Sequence, residues 1–184
     1  MDEREKELVA MTLEGRTEVF AELIYPYRQT ILRLAYRIMG DREEAHDIAQ
    51  EALLKAFRYL RRYDPRRSFR NWLLQIAVNT ARDSLRRQQK DRKAKNELFG
   101  SIAFQKGGLG KRPDAPIDWN TIIGELSPKE RQVFILRDLE GLDIKETASI
   151  LKSSSVSIRV NLARARRKIR HILEKSKLLA RARP

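Results

Sequence analysis

Arginine, amide and aromatic side chains recur within residues 68–87, and this combination can bind a nucleic-acid strand. Arginines contact phosphates, whereas aromatic rings and amides can hold unstacked bases. Apolar residues in the stretch recur at helical spacing and predict one buried face: Phe69, Trp72, Leu73, Ile76, Ala77 and Thr80. The remaining surface is polar: Arg70, Asn71, Gln75, Asn79, Arg82, Arg86 and Arg87. The stretch predicts a helix, capped by Ser68, that binds nucleic acid; an ordinary amphipathic helix with a solvated basic face is the alternative.

A basic loop precedes this helix at residues 61–67. Pro65 pushes Asp64 out of helical geometry, which predicts that the preceding helix has ended by this point. The loop carries Tyr63 and Arg66, and Phe69 follows just beyond it. An aromatic-bearing basic loop beside a polar helix face predicts a pocket for an extruded base.

The C-terminal part of the chain has the pattern of a helix-turn-helix. Asp143 and Glu146 begin a short helix, a polar turn follows at residues 152–154, and a longer helix then carries apolar residues at Ile158, Leu162, Ala165, Ile169 and Ile172. Polar and basic residues lie on the remaining surface of the longer helix: Ser155, Ser157, Arg159, Asn161, Arg164, Arg166, Arg167 and Lys168. This pattern predicts a helix that reads the major groove, while a plain three-helix bundle with a basic tail is the alternative.

An acidic stripe lies on a predicted helix nearer the N-terminus. Asp47, Gln50, Glu51 and Leu54 are spaced i, i+3, i+4 and i+7, so they share one face. Carboxylates beside an amide and an exposed leucine can dock a basic helical partner. A solvated acidic face is the alternative.

Helical periodicity and composition predict an all-α fold of two small helical domains joined by a flexible linker. The first domain is expected over residues 1–90 and the second over 119–184. The linker, 91–118, holds four of the eight glycines in the chain, followed by Pro113 and Pro116. The net charge of +14 over 184 residues favours a polyanionic partner such as nucleic acid or an anionic membrane surface.

Composition also excludes several classes of function. With no cysteine and only two histidines, we expect no metal site and no cofactor. A metal-dependent nuclease would need Glu44, Asp47 and Glu51 as ligands, but no second motif converges on them, so we expect no catalytic residues. The N-terminus is acidic, unlike a signal peptide, and apolar runs are short. These features predict a cytoplasmic protein that does not insert into a membrane.

Several short motifs, taken in order, resemble the extracytoplasmic-function (ECF) group of bacterial RNA polymerase sigma factors. The first set is Asp47-Ile48-Ala49-Gln50-Glu51-Ala52, then Phe69-Arg70-Asn71-Trp72-Leu73 and Ile76-Ala77-Val78-Asn79. The second set is Leu126-Ser127-Pro128, Arg131, Leu139-Glu140-Gly141-Leu142, Glu146-Thr147-Ala148 and Ala163-Arg164-Ala165-Arg166. The resemblance implies a sigma region 2 helical domain, a sigma region 4 helix-turn-helix and no enzymatic activity.

The resemblance also implies partners and residue roles. The acidic stripe Asp47, Gln50, Glu51 and Leu54 would bind the coiled coil of the core polymerase clamp. Residues implied at the −10 element, where the strand is melted, are Tyr63, Arg66, Ser68, Phe69, Asn71, Trp72, Gln75, Asn79, Arg82 and Arg86. Residues implied at the duplex −35 element are Ser155, Ser157, Arg159, Val160, Asn161, Arg164 and Arg167. An anti-sigma factor is a further implied partner.

Two positions depart from the family pattern. Lys152 stands where the family usually has glycine, and Val160-Asn161 stands where it often has Ser-Arg. Because of the second departure, the resemblance does not indicate which −35 DNA sequence this helix recognises. A stand-alone helix-turn-helix regulator of duplex DNA is the alternative function, although it leaves the acidic stripe and the aromatic loop unused.

Overall fold

The computed structural model describes residues 3–99 and 119–181, and the regular elements within these ranges are helical. The α-helices are α1 (Glu3–Leu13), α2 (Val19–Ile24), α3 (Arg28–Met39), α4 (Arg42–Tyr59), α5 (Phe69–Phe99), α6 (Trp119–Gly124), α7 (Pro128–Phe134), α8 (Ile144–Leu151) and α9 (Ser155–Arg181). Short 3₁₀ turns lie at Tyr25–Tyr27 and Leu60–Arg62, and a π-helical turn lies at Ile135–Leu139. Among these residues, no helix is both long and apolar enough to cross a membrane. Because every regular element of the described residues is helical, the predicted all-α fold is confirmed.

Local signals set the helix boundaries in the first half of the chain. Pro26 falls in the 3₁₀ turn between α2 and α3. Gly40 ends α3 in the left-handed conformation, at φ 79°, which glycine adopts without strain. The Asp41 side chain accepts a hydrogen bond from the Glu44 N–H and so caps α4. Helices α3, α4 and α5 pack against one another around a core of buried aliphatic side chains.

Helix α5 is longer than the sequence predicted. It runs to Phe99, nine residues beyond the expected end of the first domain at residue 90. The next helix-breaking residue is Gly100, so nothing in the sequence stops the helix earlier. The rest of the predicted linker, 100–118, lies outside the described residues.

The helix-turn-helix is present as predicted in helices α8 and α9. Capping boxes begin α7 at Ser127 and Glu130 and α8 at Asp143 and Glu146, because each pair exchanges side-chain and backbone hydrogen bonds. Lys152 ends α8 in the left-handed conformation, at φ 49°, where a glycine is usual.

The two helical domains share one apolar core. Ile123 and Leu136 from the second half belong to the same buried cluster as Leu34 and Leu73 from the first. Helix α5 packs on α8, and α3 packs on α7. Helix α5 is also buried along a second row that its polar pattern did not single out, formed by Leu74, Val78 and Ala81.

Candidate nucleic-acid and partner interfaces

The acidic stripe lies on the open surface of α4. Asp47 and Gln50 are exposed, and Leu54 is 57% exposed, which is high for a large apolar side chain. Glu51 is half-buried because it pairs with Lys55 at 2.7 Å and with Arg87 of α5 at 3.7 Å. Among the residues that the structure describes, none pairs with the Asp47 carboxylate, so the stripe offers one carboxylate, one amide and one leucine to a partner.

The aromatic residues at the start of α5 form a packed cluster rather than an open pocket. Phe69 is fully buried, and Tyr63 is only 7% exposed. The Tyr63 ring centroid lies 5.4 Å from that of Phe69 and 5.1 Å from that of Trp72. The Tyr63 hydroxyl donates to the Arg67 carbonyl oxygen at 2.6 Å, and burial raises the pKa of Tyr63 to about 12. In this arrangement Tyr63 and Phe69 support Trp72, which is half-buried and presents part of its ring to the surface.

The loop and the polar face of α5 contain the other predicted −10 residues. Ser68 caps the helix, since its hydroxyl oxygen accepts from the Asn71 N–H at 3.3 Å. Arg66 is exposed and pairs with Asp64 of the same loop at 3.0 Å. Further along the helix Asn79 is half-buried, while Arg82 and Arg86 are exposed. The part of the polar face around Arg82 and Arg86 is therefore accessible to a nucleic-acid strand.

The other end of the same face is covered by the second domain. The Asn71 side-chain amide donates to Glu146 Oε1 at 2.6 Å, and the Gln75 amide donates to the Ser149 carbonyl oxygen at 3.4 Å. Both acceptors lie on α8. The structure thus divides the predicted −10 residues into an open group and a covered group.

Helix α9 keeps its predicted basic face open. Arg159, Val160, Arg164 and Arg167 are exposed. Among the described residues, none of these three arginines is held in an ion pair. Ser155, Ser157 and Asn161 are half-buried.

Two cations and one amide of α9 are instead used within the protein. Arg166 pairs with Asp138 at 2.6 Å, and Lys168 pairs with the buried Glu130 at 2.7 Å. The Asn161 amide donates to the Ser157 carbonyl oxygen at 2.8 Å. Arg166 and Lys168 therefore also anchor α9, while both stay on the exposed face that the sequence predicted.

Sequence reasoning missed the charged residues between the domains. The Glu140 side chain is only 7% exposed and accepts from Arg37 Nη1 at 3.0 Å and from Arg70 Nη2 at 3.2 Å. The motif that contains Glu140 was recognised, but its partners lie 103 and 70 positions earlier. No local spacing could have indicated them.

The described residues contain no group of three or more histidine, cysteine, aspartate or glutamate side chains that could hold a metal ion. The arrangement presents surfaces for binding: an acidic and apolar stripe on α4, an aromatic and polar face on α5, and a basic face on α9.

Known proteins share this organisation. Residues 23–91 match the family model of sigma-70 region 2, and residues 118–169 match that of sigma-70 region 4. The ECF RNA polymerase sigma factor SigW of Bacillus subtilis is 30% identical over 176 residues, which cover 90% of this chain and 94% of SigW. The RNA polymerase sigma-H factor of Pseudomonas aeruginosa is 30% identical over an alignment that covers 94% of this chain and 95% of that factor.

A solved structure supports the fold. The sigma factor RpoE of Bartonella quintana, in complex with the anti-sigma factor NepR, superposes with a TM-score of 0.70 at 21% identity. The match covers 84% of this chain and 96% of that one.

Proposed function

This chain belongs to the ECF group of the sigma-70 family, and from that membership we propose that it is a promoter-specificity subunit of RNA polymerase. It binds core polymerase, recognises the −10 and −35 promoter elements and stabilises the melted strand while transcription begins. It is an initiation factor and not an enzyme. The observation that carries this function is the occurrence of both sigma regions in order on one chain, with full-length relatives at 30% identity.

We assign polymerase binding to the stripe on α4. Asp47, Gln50, Glu51 and Leu54 would contact the basic coiled coil of the polymerase clamp. The exposure of Leu54 supports this, because an apolar side chain on an acidic surface gains from burial against a partner. The stripe combines charge for orientation with apolar area for affinity.

We assign −10 recognition to α5 and its preceding loop. Trp72 can stack on an unpaired base, a contact worth about 1–3 kcal/mol. Tyr63 and Phe69 hold that ring in place, while Arg66, Arg82 and Arg86 contact phosphates. Ser68, Asn71, Gln75 and Asn79 supply polar contacts to the strand.

We assign −35 recognition to α9. Its N-terminal residues Ser155, Ser157, Arg159, Val160 and Asn161 would meet base edges in the major groove. Arg164 and Arg167 would meet phosphates. The exposure of the three arginines supports this assignment.

The two domains are proposed to be residues 1–90 and 119–184, with 91–118 as the linker between the two promoter contacts. The protein would act in the cytoplasm, where polymerase and DNA are found. Because the Bartonella RpoE structure contains an anti-sigma factor, we extend to this chain the proposal of an anti-sigma partner.

Run-off transcription tests the function directly. Purified core polymerase is incubated with a pool of promoter fragments, with and without this protein. We expect defined transcripts only when the protein is present, and their upstream sequences would supply both promoter elements. The absence of transcripts, together with tight duplex binding without polymerase, would instead support the stand-alone regulator, an alternative that accounts for residues 118–169 but leaves the region 2 match unexplained.

A further inference from the structure

Two exposed valines lie near the start of α9. Val156 is 67% exposed and Val160 is 43% exposed, which is high for branched apolar side chains. They are four positions apart on the helix and therefore share one face. Each is two positions from the buried Ile158, so each points about 160° around the helix axis away from it. The two valines thus occupy the middle of the outer face of α9.

Folding of the helix does not account for valine at these positions. An exposed valine gains little from burial, and as a β-branched residue it has a lower helix propensity than alanine, lysine or arginine. The surrounding outer face is basic, with exposed Arg159, Arg164 and Arg167. An apolar pair within a basic face fits a partner that is anionic and also presents apolar groups.

The major groove of duplex DNA has both properties. Its edges are lined by phosphates, and of the four standard bases only thymine presents a methyl group there. Four residues of α-helix rise about 6 Å, which is nearly two base-pair steps of about 3.4 Å. The two valines are therefore spaced to contact the methyl groups of two thymines that lie one or two base pairs apart.

Local structure holds the valines in fixed positions. The Ser154 hydroxyl oxygen accepts from the Ser157 N–H at 3.1 Å and caps the first turn of α9. Ile158 and Leu162 pack in an apolar cluster with Val133, which fixes the rotation of α9 about its axis. Within a helix, the χ1 angle of valine has one strongly preferred rotamer. A contact with a methyl group therefore costs little side-chain entropy and depends closely on where the thymine lies.

We propose that Val156 and Val160 each bind the C5 methyl group of a thymine in the −35 duplex, so that this chain selects thymine at the two positions that they face. A valine side chain has no hydrogen-bond donor or acceptor, so a methyl group is the part of a base edge from which it gains. The proposal deepens the proposed function and rests on it for the identity of the duplex as the −35 element.

Selection from a randomised pool tests which base pairs are read. The full chain, alone and assembled with core polymerase, binds duplexes that are randomised across the −35 element, and the bound duplexes are sequenced. We expect the enriched sites to hold two thymines, on either strand, one or two base pairs apart. Val156→Ala and Val160→Ala should each remove the preference at one of these positions and leave the other.

Removing the methyl group alone tests the contact itself. Deoxyuridine in place of one selected thymidine keeps the base pair and lacks only the methyl group. We expect each replacement to weaken binding of the unmodified protein by about fourfold, since the burial of one apolar carbon is lost. The matching alanine variant should bind the thymidine and deoxyuridine duplexes equally. Fluorescence anisotropy of the labelled duplex measures these affinities.

Arg167→Ala is the matched control, because Arg167 is exposed on the same outer face but is assigned to a phosphate. It should weaken binding to both duplexes by the same factor and keep the fourfold difference between them. Circular dichroism would verify that each variant is folded.

Equal binding of the two duplexes by the unmodified protein would overturn the proposal, and so would a selection that enriches no thymine. A deoxyuridine effect that persists in both alanine variants would overturn the role of the valines. Run-off transcription judges the proposed function separately. If the methyl effect depends on the valines but no transcripts form, the valine contacts stand and the sigma function fails; if transcripts form without a methyl effect, only the valine contacts fail.

Discussion

The guanidinium of Arg131 donates to the carbonyl oxygen of Ile38, 93 positions earlier, at 3.1 Å. Ile38 lies in the last turn of α3, where carbonyl groups have no partner within the helix. The same guanidinium reaches the carbonyl oxygens of Ile123 at 3.1 Å and Gly124 at 2.7 Å, at the end of α6. One arginine therefore caps two helices, one from each domain.

We predict that Arg131→Ala lowers the free energy of unfolding by about 3 kcal/mol, because three hydrogen bonds from a charged donor are lost and carbonyl groups remain unsatisfied. Arg131→Lys should recover part of this, since an ammonium cannot reach all three oxygens in the same geometry. Urea unfolding followed by circular dichroism measures the change. Arg164→Ala, at an exposed position, is the control and should change stability by less than about 0.5 kcal/mol. Equal stability of Arg131→Ala and the control would contradict the capping role.

Glu130 should make stability depend on acid pH. Burial raises the pKa of Glu130, but hydrogen bonds from Lys168 and from the Ser127 N–H lower it by more, so the net pKa lies below the ordinary 4.5. A lowered pKa contributes stability that is present above 4.5 and is lost as the pH falls through the folded-state value.

Glu130→Gln isolates this contribution, because glutamine can keep the capping box but cannot pair with Lys168. We predict a loss of about 1.5 kcal/mol at neutral pH. The difference from the unmodified protein should shrink as the pH falls below 4.5 and the carboxylate takes up a proton. Urea unfolding at neutral pH and at acid pH measures it. Glu125→Gln, at an exposed position, should show no such convergence, and a constant difference for Glu130→Gln would refute the prediction.

Replacing Lys152 with glycine should stabilise the protein, because Lys152 has a left-handed backbone conformation. Its left-handed backbone, at φ 49° and ψ 52°, is strained for a residue with a Cβ atom and relaxed for glycine. We predict that Lys152→Gly raises the free energy of unfolding by about 0.5–1 kcal/mol. Lys152→Ala keeps the Cβ atom and should not produce the gain. Thermal unfolding of the three proteins distinguishes them; if alanine stabilises as much as glycine, backbone strain is not the cause.

The stripe on α4 should determine affinity for polymerase without affecting folding. We predict that Asp47→Lys and Leu54→Ser each weaken binding to core polymerase by about tenfold, because a charge pair or an apolar contact is lost. Both residues are exposed, so the melting temperature should not change. Fluorescence anisotropy of labelled protein titrated with core polymerase measures affinity. Glu18→Lys reverses an exposed charge of the same domain outside α4 and should bind normally; equal weakening by Glu18→Lys would indicate only a general charge effect.

The two ends of the α9 face should behave differently. Replacing Arg159 and Asn161 with alanine should reduce discrimination among −35 sequences, because these residues would face base edges. Replacing Arg164 and Arg167 with alanine should weaken binding to all sequences alike and reduce the salt dependence, because phosphate contacts are independent of sequence. Run-off transcription from templates randomised at −35, at two salt concentrations, separates the two effects. Unchanged promoter preference in the first variant would mean that those residues do not read bases.

The sequence by itself determined the features that depend on neighbouring residues. The helices, the cap at Gly40 and the capping box at Ser127 all follow from side chains within about four positions of one another. The faces predicted for α4 and α9 were confirmed for the same reason, since helical spacing alone decides which residues share a face.

Only the tertiary structure decided which partner covers each face. Periodicity indicates that a face is buried but not by what, so the packing of α5 on α8 and the burial of Leu74 and Val78 could not be predicted. The ion pairs of Glu140 and the cap formed by Arg131 join residues 70–103 positions apart, and they exist only because α3, α5 and the second domain meet in space. Charge type and spacing showed which residues can bind a strand, whereas the packing of the domains decides which of them are accessible.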